Sequence, residues 1–274
     1  MKPFVPVYVP VGVPTFHMES AQDAFERSAA ALKAIDGDFV CPEEKLLSLD
    51  ALRAYLDPLA PDLIVFQNLT FANAAYMAEV LRRTSCPVVL WTLREPVIDG
   101  GRLRLNSLTG AYSAANTLRA FSDRPFVYGF GAPEEARVQD ALKAAVAAAR
   151  VKHDMRSLKL AAVGHTPQGF GFGRALDGEL MDAFGVELEA IEARELIDRA
   201  KGYTDEECAP YLEKTARMTC GFENTPERNR LDHARLYRPT ATMCRPAARG
   251  PWPPGAGPTS SPPTAPPCAR CCPS

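Results

Sequence analysis

Apolar positions in the first 150 residues come in short continuous runs separated by segments with helical spacing. F-V-P-V-Y-V (4–9), D-L-I-V-F-Q-N (62–68), P-V-V-L-W-T (87–92) and F-V-Y-G-F-G (126–131) are rich in β-branched and aromatic residues and predict strands. Pro6 within 4–9 and Pro10 just after it argue against a central place for that strand, because each removes a ladder donor. Between the runs, Ala21, Ala24, Phe25, Ser28, Leu32 and Ile35 share one helical face and predict a helix over 19–34, with Ser20 and Asp23 as a capping pair. Helices are also predicted over 72–83 and over alanine-rich 141–150.

A second alternation begins at L-K-L-A-A-V-G (158–164). It continues through a glycine-rich loop, a helix over 174–184, a strand over 186–191, a helix over 192–201 and another over 205–218. Continuous apolar strands alternating with helices specify parallel sheets covered on both faces. The fold class is therefore α/β, with two Rossmann-like parallel-sheet units: residues 1–150, then an incomplete second unit over 151–238.

From Pro239 to Ser274 the pattern stops. Those 36 residues hold eleven prolines and no Asp, Glu, Lys, Leu, Ile, Val or Phe. A segment so poor in apolar side chains cannot offset the entropy of ordering it, so 239–274 is read as a disordered tail. Cys268, Cys271 and Cys272 in it lack the second ligand pair of a structural zinc site and are read as accidental.

Charge narrows the partners. The formal net charge is -2, from 31 basic and 33 acidic residues, with no like-charge run. No basic face for nucleic acid is expected. No window of about 18 apolar residues predicts a membrane span, and the proline-studded N-terminus does not read as a signal peptide. Cysteines 41, 86, 208 and 220 are scattered singly, as in a reduced, cytoplasmic protein.

In parallel α/β sheets, ligands sit beyond the carboxyl ends of the strands. The polar residues there are Gln67, Asn68, Thr92, Arg94 and Glu95, then Asn106 in L-N-S-L-T-G-A-Y, and His165 and Gln168 in G-H-T-P-Q-G-F-G-F-G. The last stretch lacks the G-K-[ST] of a phosphate loop, and Pro167 removes an amide donor, so a tight turn or a sugar-hydroxyl contact fits it better than phosphate. The four histidines do not fall at paired metal-ligand spacing, and neither H-E-x-x-H nor G-x-S-x-G occurs.

Taken in order, G-V-P-T-F-H-M-E, P-D-L-I-V-F-Q-N, P-V-V-L-W-T-L-R-E-P, L-N-S-L-T-G, V-G-x-x-P-Q-G-F and F-G-V-E-L-E-A-I-E-A-R-E-L-I resemble the L-fucose/L-arabinose isomerase family, in its fucose isomerase-related branch. The resemblance spans residues 4 to about 238. It implies an intramolecular oxidoreductase that interconverts aldose and ketose in carbohydrate metabolism, as a cytoplasmic homo-oligomer using Mn²⁺. On that resemblance Gln67, Asn68, Arg94, Glu95, Asn106, His165 and Gln168 are candidate contacts for a small sugar, with no catalytic role. The family's metal-binding and proton-transferring carboxylates lie downstream of the matching stretches. This chain is therefore expected to be truncated, to hold no Mn²⁺ and to be inactive.

Codons for 256–274, read one base earlier with permitted third bases, encode an apolar, Trp-containing segment of the kind the family carries before those carboxylates. The tail is accordingly read as out-of-frame, with a native disordered tail as the alternative. Two other readings of the whole remain open: a non-catalytic sugar-binding α/β module, and a misfolding truncated product.

Overall fold

The computed structural model describes residues 2–243. It divides into two compact units, Lys2–His153 and a second that begins at Asp154.

The first unit is a parallel four-stranded sheet in the order β1 (Pro6–Val11), β2 (Leu63–Asn68), β3 (Val88–Thr92), β4 (Phe126–Phe130). Its helices are α1 (Met18–Ile35), α2 (Leu49–Leu56), α3 (Ala74–Arg83), α4 (Ser107–Phe121) and α5 (Ala136–Met155). Every residue of β1, β2 and β3 is buried, which is why those runs are mostly apolar and do not alternate, their polar residues Gln67, Asn68 and Thr92 coming at the carboxyl ends. On one face Tyr8, Val65, Val89 and Trp91 pack with Phe25 and Leu32 of α1 and with Leu142 and Val146 of α5. On the other, Val9, Ile64, Phe66 and Leu90 pack with Leu52 of α2, Met77 and Val80 of α3, and Leu118 of α4.

β1 ends the sheet, as its prolines require. Val5 and Val11 engage β2 through their carbonyls, so the even-numbered residues face outward. There Pro6 and Pro10, which lack N–H groups, accept from the amides of Val40 and Leu46, while Tyr8 donates to the Val40 carbonyl. The start of α1 departs from the Ser20–Asp23 expectation. The N-cap is His17, whose Nδ1 accepts the Ser20 amide at 3.2 Å, one turn earlier than the pattern of buried positions suggests.

The second unit holds a parallel pair, β5 (Lys159–Val163) and β6 (Glu187–Ile191), with α6 (Asp177–Phe184), α7 (Ala193–Lys201), α8 (Asp205–Met218) and α9 (Glu227–Met243). Gly185, at φ +71°, closes α6 with the left-handed turn that glycine adopts without strain. Thr204 and Glu207 form a reciprocal capping box at the start of α8.

Helix α9 corrects the boundary of the tail, since it runs through Pro239 to Met243. Proline removes only one i to i−4 bond, and the following T-A-T-M is compatible with a helix; averaging composition over 36 residues hid this last turn. The rest of the tail, with its cysteine cluster and the out-of-frame reading, lies outside the described residues.

Candidate functional site

The carboxyl ends of β2, β3 and β4 are tied together by short polar contacts. Ser107, the first residue of α4, donates its hydroxyl to the Asn68 carbonyl at the end of β2 and accepts the Leu93 amide just after β3, at 2.9 Å. The Phe71 amide donates to the Leu105 carbonyl at 2.9 Å. The start of α4 is thereby fixed against the ends of two adjacent strands.

Glu95 organises the loop that leads there. Its carboxylate accepts the backbone amides of Arg104 at 2.5 Å, Leu105 at 3.0 Å and Asn106 at 3.0 Å. Asn106 then turns the chain into α4 at φ +53°, a left-handed conformation that asparagine tolerates better than most residues. Its Oδ1 accepts from the Thr109 hydroxyl at 2.7 Å.

Arg94 faces the end of β4. Its Nε and Nη2 donate to the two carboxylate oxygens of Glu135 at 2.9 and 2.8 Å, and its guanidinium lies 4.8 Å from the centre of the Phe130 ring. Glu135 also accepts the Ala132 amide at 2.8 Å. The Arg94 hydrogen bonds, followed by that amide, hold the Glu135 carboxyl down at about 2, well below the ordinary carboxylate range. Gly131 is required at this turn twice over: its φ is +143°, and a Cβ there would lie 2.7 Å from the Glu135 carboxyl.

Adjacent residues of a strand point to opposite faces, and this separates Gln67 from Asn68. Gln67 is fully buried on the α1 face. Its Oε1 accepts from the Tyr8 hydroxyl and its Nε2 donates to Ser28 Oγ at 3.0 Å. Burial pushes the Tyr8 pKa well up, which keeps this hydroxyl protonated as a donor. Asn68 is equally buried on the α4 face, yet neither its Oδ1 nor its Nδ2 has a hydrogen-bond partner. It is packed against Gly110 so tightly that a Cβ at that position would lie 2.5 Å from Nδ2. A buried amide with both ends unmatched is costly, and its place at a strand's carboxyl end makes it the most conspicuous candidate in the unit.

Of the seven residues singled out from sequence, Asn68, Arg94, Glu95 and Asn106 converge on this end of the first sheet. Gln67 is turned away into the core. Glu95 and Arg94 are already engaged by backbone amides and by Glu135 respectively. His165 and Gln168 belong to the second unit. The His165 side chain is 85 % exposed, with Nε2 3.4 Å from Glu192 at the end of β6, and Gln168 lies on the exposed loop after β5.

Sequence reasoning missed Ser107, Gly110 and Glu135. Glu135 is the second of two adjacent acids beyond the β4 run, after Glu134, which pairs with Arg27, and could have been found by treating that strand's end like the other two. A groove of about 440 Å³ between α4 and β4, lined by Leu108, Tyr112, Phe126, Tyr128, Phe130 and Arg137 among others, meets the polar cluster at Phe130, whose ring faces the Arg94 guanidinium.

No protein-family model matches the chain. Over 238 residues, 87 % of this chain, it is 56 % identical to a sulfoquinovose isomerase of Clostridium sp. (strain MSTE9). Over 224 residues, 81 % of the chain, it is 34 % identical to sulfoquinovose isomerases of Priestia aryabhattai and Priestia megaterium. The chain is thus similar to proteins named as sugar isomerases over most of its length. It spans about half the length of these curated relatives: 53 % of the Clostridium protein and 50 % of each Priestia protein. Among the described residues no helix is long and apolar enough to cross a membrane.

Proposed function

We propose that this chain carries the N-terminal part of an aldose–ketose isomerase that acts on sulfoquinovose, belongs to the fucose isomerase-related branch and works as a cytoplasmic homo-oligomer. The observation that carries the reading is the 56 % identity to the Clostridium sulfoquinovose isomerase, maintained over 87 % of this chain. The polar cluster at the carboxyl ends of β2–β4 supports it, because that is where a parallel sheet presents groups to a small ligand. In this reading the partly exposed Asn106 side chain hydrogen-bonds a sugar hydroxyl, while buried Asn68, with Arg94, Glu95, Glu135 and Ser107, shapes and holds the strand ends that carry it.

Aldose–ketose interconversion moves a proton between adjacent carbons and requires a positioned acid–base pair. The family resemblance adds Mn²⁺, for which hard carboxylate oxygens are suited. Among the described residues no group of three His, Cys, Asp or Glu comes together as such a ligand set, so no step is derived through a metal here. Metal binding and proton transfer are assigned, within this proposal, to the portion of the relatives that the chain does not match.

The test compares two purified proteins with sulfoquinovose and Mn²⁺: this chain, and a chimera that continues after Arg238 with the remaining portion of the Clostridium relative. Turnover is expected only from the chimera, and Asn106→Gly in it, which keeps the left-handed backbone, should lower kcat/KM by about tenfold, the worth of one good hydrogen bond. Turnover by the chain alone would overturn the division of labour. A soluble, folded chimera without turnover would sink the isomerase reading.

A further inference from the structure

β5 and its surroundings disagree. L-K-L-A-A-V has the near-continuous apolar character of a parallel strand covered on both faces. Yet Leu158, Leu160 and Val163 are 44 %, 39 % and 47 % exposed. The neighbouring helices show the same bias, with Met181 and Phe184 of α6 and Ile197 of α7 exposed. Val186, Ala200, Cys208, Ala234 and Pro239 are the buried apolar residues of this unit among the described residues, too small a set to absorb that surface. A two-stranded sheet with little packed against it is marginal in water.

The backbone of β5 gives the exposed surface a direction. The ladder to β6 uses even-numbered positions, from the Leu158 carbonyl, which accepts from Glu187, to the Gly164 amide, which donates to Ile191 at 2.8 Å. The amides and carbonyls of Lys159, Ala161 and Val163 therefore point to the other edge, where the described residues supply no strand. Lysine often guards such an edge, but Lys159 is drawn across to Glu187 at 2.9 Å.

We propose that the outer edge of β5, with the apolar surface beside it, is the docking face for a parallel strand and its covering helix of the kind carried in the portion of the relatives beyond the matched region. Length supports this occupant: the match covers 53 % of the Clostridium protein, leaving ample chain for further strand–helix units. Composition argues against the chain's own end as occupant. Residues 244–274 contain no Leu, Ile, Val or Phe, the residue types that favour a strand covered on both faces. The inference rests on sequence similarity and packing, and is independent of the isomerase reaction.

Hydrogen exchange followed by mass spectrometry tests it on the full chain, alone and mixed with the separately produced remaining portion of the Clostridium relative. A one-to-one complex is expected, with exchange in 158–164 slowed by at least about tenfold. Ala161→Pro, which removes an outward amide and leaves the β6 ladder in place, should abolish both. Because the added portion can fail to fold by itself, the same segment is also measured in the covalent chimera joined after Arg238. Unchanged exchange of 158–164 in the chimera overturns the proposal, as does a complex that Ala161→Pro leaves intact. Concentration-dependent protection of these amides in the chain alone overturns it in favour of a second copy.

Discussion

β2 and β5 are short apolar runs of the same kind, L-I-V-F-Q-N and L-K-L-A-A-V, and they meet opposite fates. All six residues of β2 are buried between two helical layers, whereas no residue of β5 is. The difference lies in what surrounds them. β2 has a parallel neighbour on each side and helices on both faces; β5 has β6 alone among the described residues. Strand propensity and pattern are properties of the run, but burial belongs to the assembled layers, and about 25 cal/mol per Å² of apolar surface is gained only when those layers close.

Large-to-small substitutions break this comparison most forcefully. Phe66→Ala in β2 should cost about 3–5 kcal/mol, as a cavity opens among Ile64, Leu90 and Met77, while Leu160→Ala in β5 should cost no more than about 0.5–1 kcal/mol. Urea unfolding followed through the fluorescence of buried Trp91 measures the first, and loss of signal from the α7–α9 segment by hydrogen exchange tracks the second. Equal losses at the two sites would mean that β5 is as well covered as β2.

A smaller effect sharpens the contrast inside β2 itself. Gln67→Ala strands the Tyr8 and Ser28 hydroxyls and should cost about 1–3 kcal/mol. Asn68→Ala removes an amide without partners and should cost less than its neighbour, although both side chains are buried. Parallel urea titrations decide this; a larger loss at Asn68 would mean that its amide has a partner in solution.

The smallest effect is one of pH. Glu135 titrates at about 2 in the folded chain against an ordinary value of 4.5, so its pairing with Arg94 contributes fully above the ordinary value and is lost as pH falls toward 2. Glu135→Gln should flatten the acid limb of stability between about pH 4.5 and 2. Glu135 is partly exposed, so the change is modest, and carboxyl titration by NMR is the suitable readout.

Much of the first sheet was legible because β1, β2 and β3 are buried on both faces and are therefore apolar at most positions, while β4, partly exposed, was marked by its aromatic and β-branched residues. α2 was not, since eight residues carry too short a periodicity to stand out, and Ala-rich α5 proved ten residues longer than the 141–150 segment, its outer turns being polar. The site was half legible. The rule that strand ends bear the chemistry pointed to Asn68, Arg94 and Glu95, and the small polar loop L-N-S-L-T-G to Asn106. Which of them was already engaged depended on a partner 41 residues away, Glu135, and on three amides of a returning loop. Distances of that kind are set by tertiary closure, and no local window contains them. Alternation alone could have separated Gln67 from Asn68, because neighbours in a strand cannot share a face.

The prolines of β1 have a consequence for assembly. Of the four outward positions from Pro6 to Gly12, two carry no amide hydrogen, and the Tyr8 and Gly12 amides are already given to Val40 and Leu46. An incoming strand finds no donor on that margin, so the first sheet has a sealed side and cannot nucleate fibril-like growth there. Any association of this protein by strand addition is steered away from its N-terminal border.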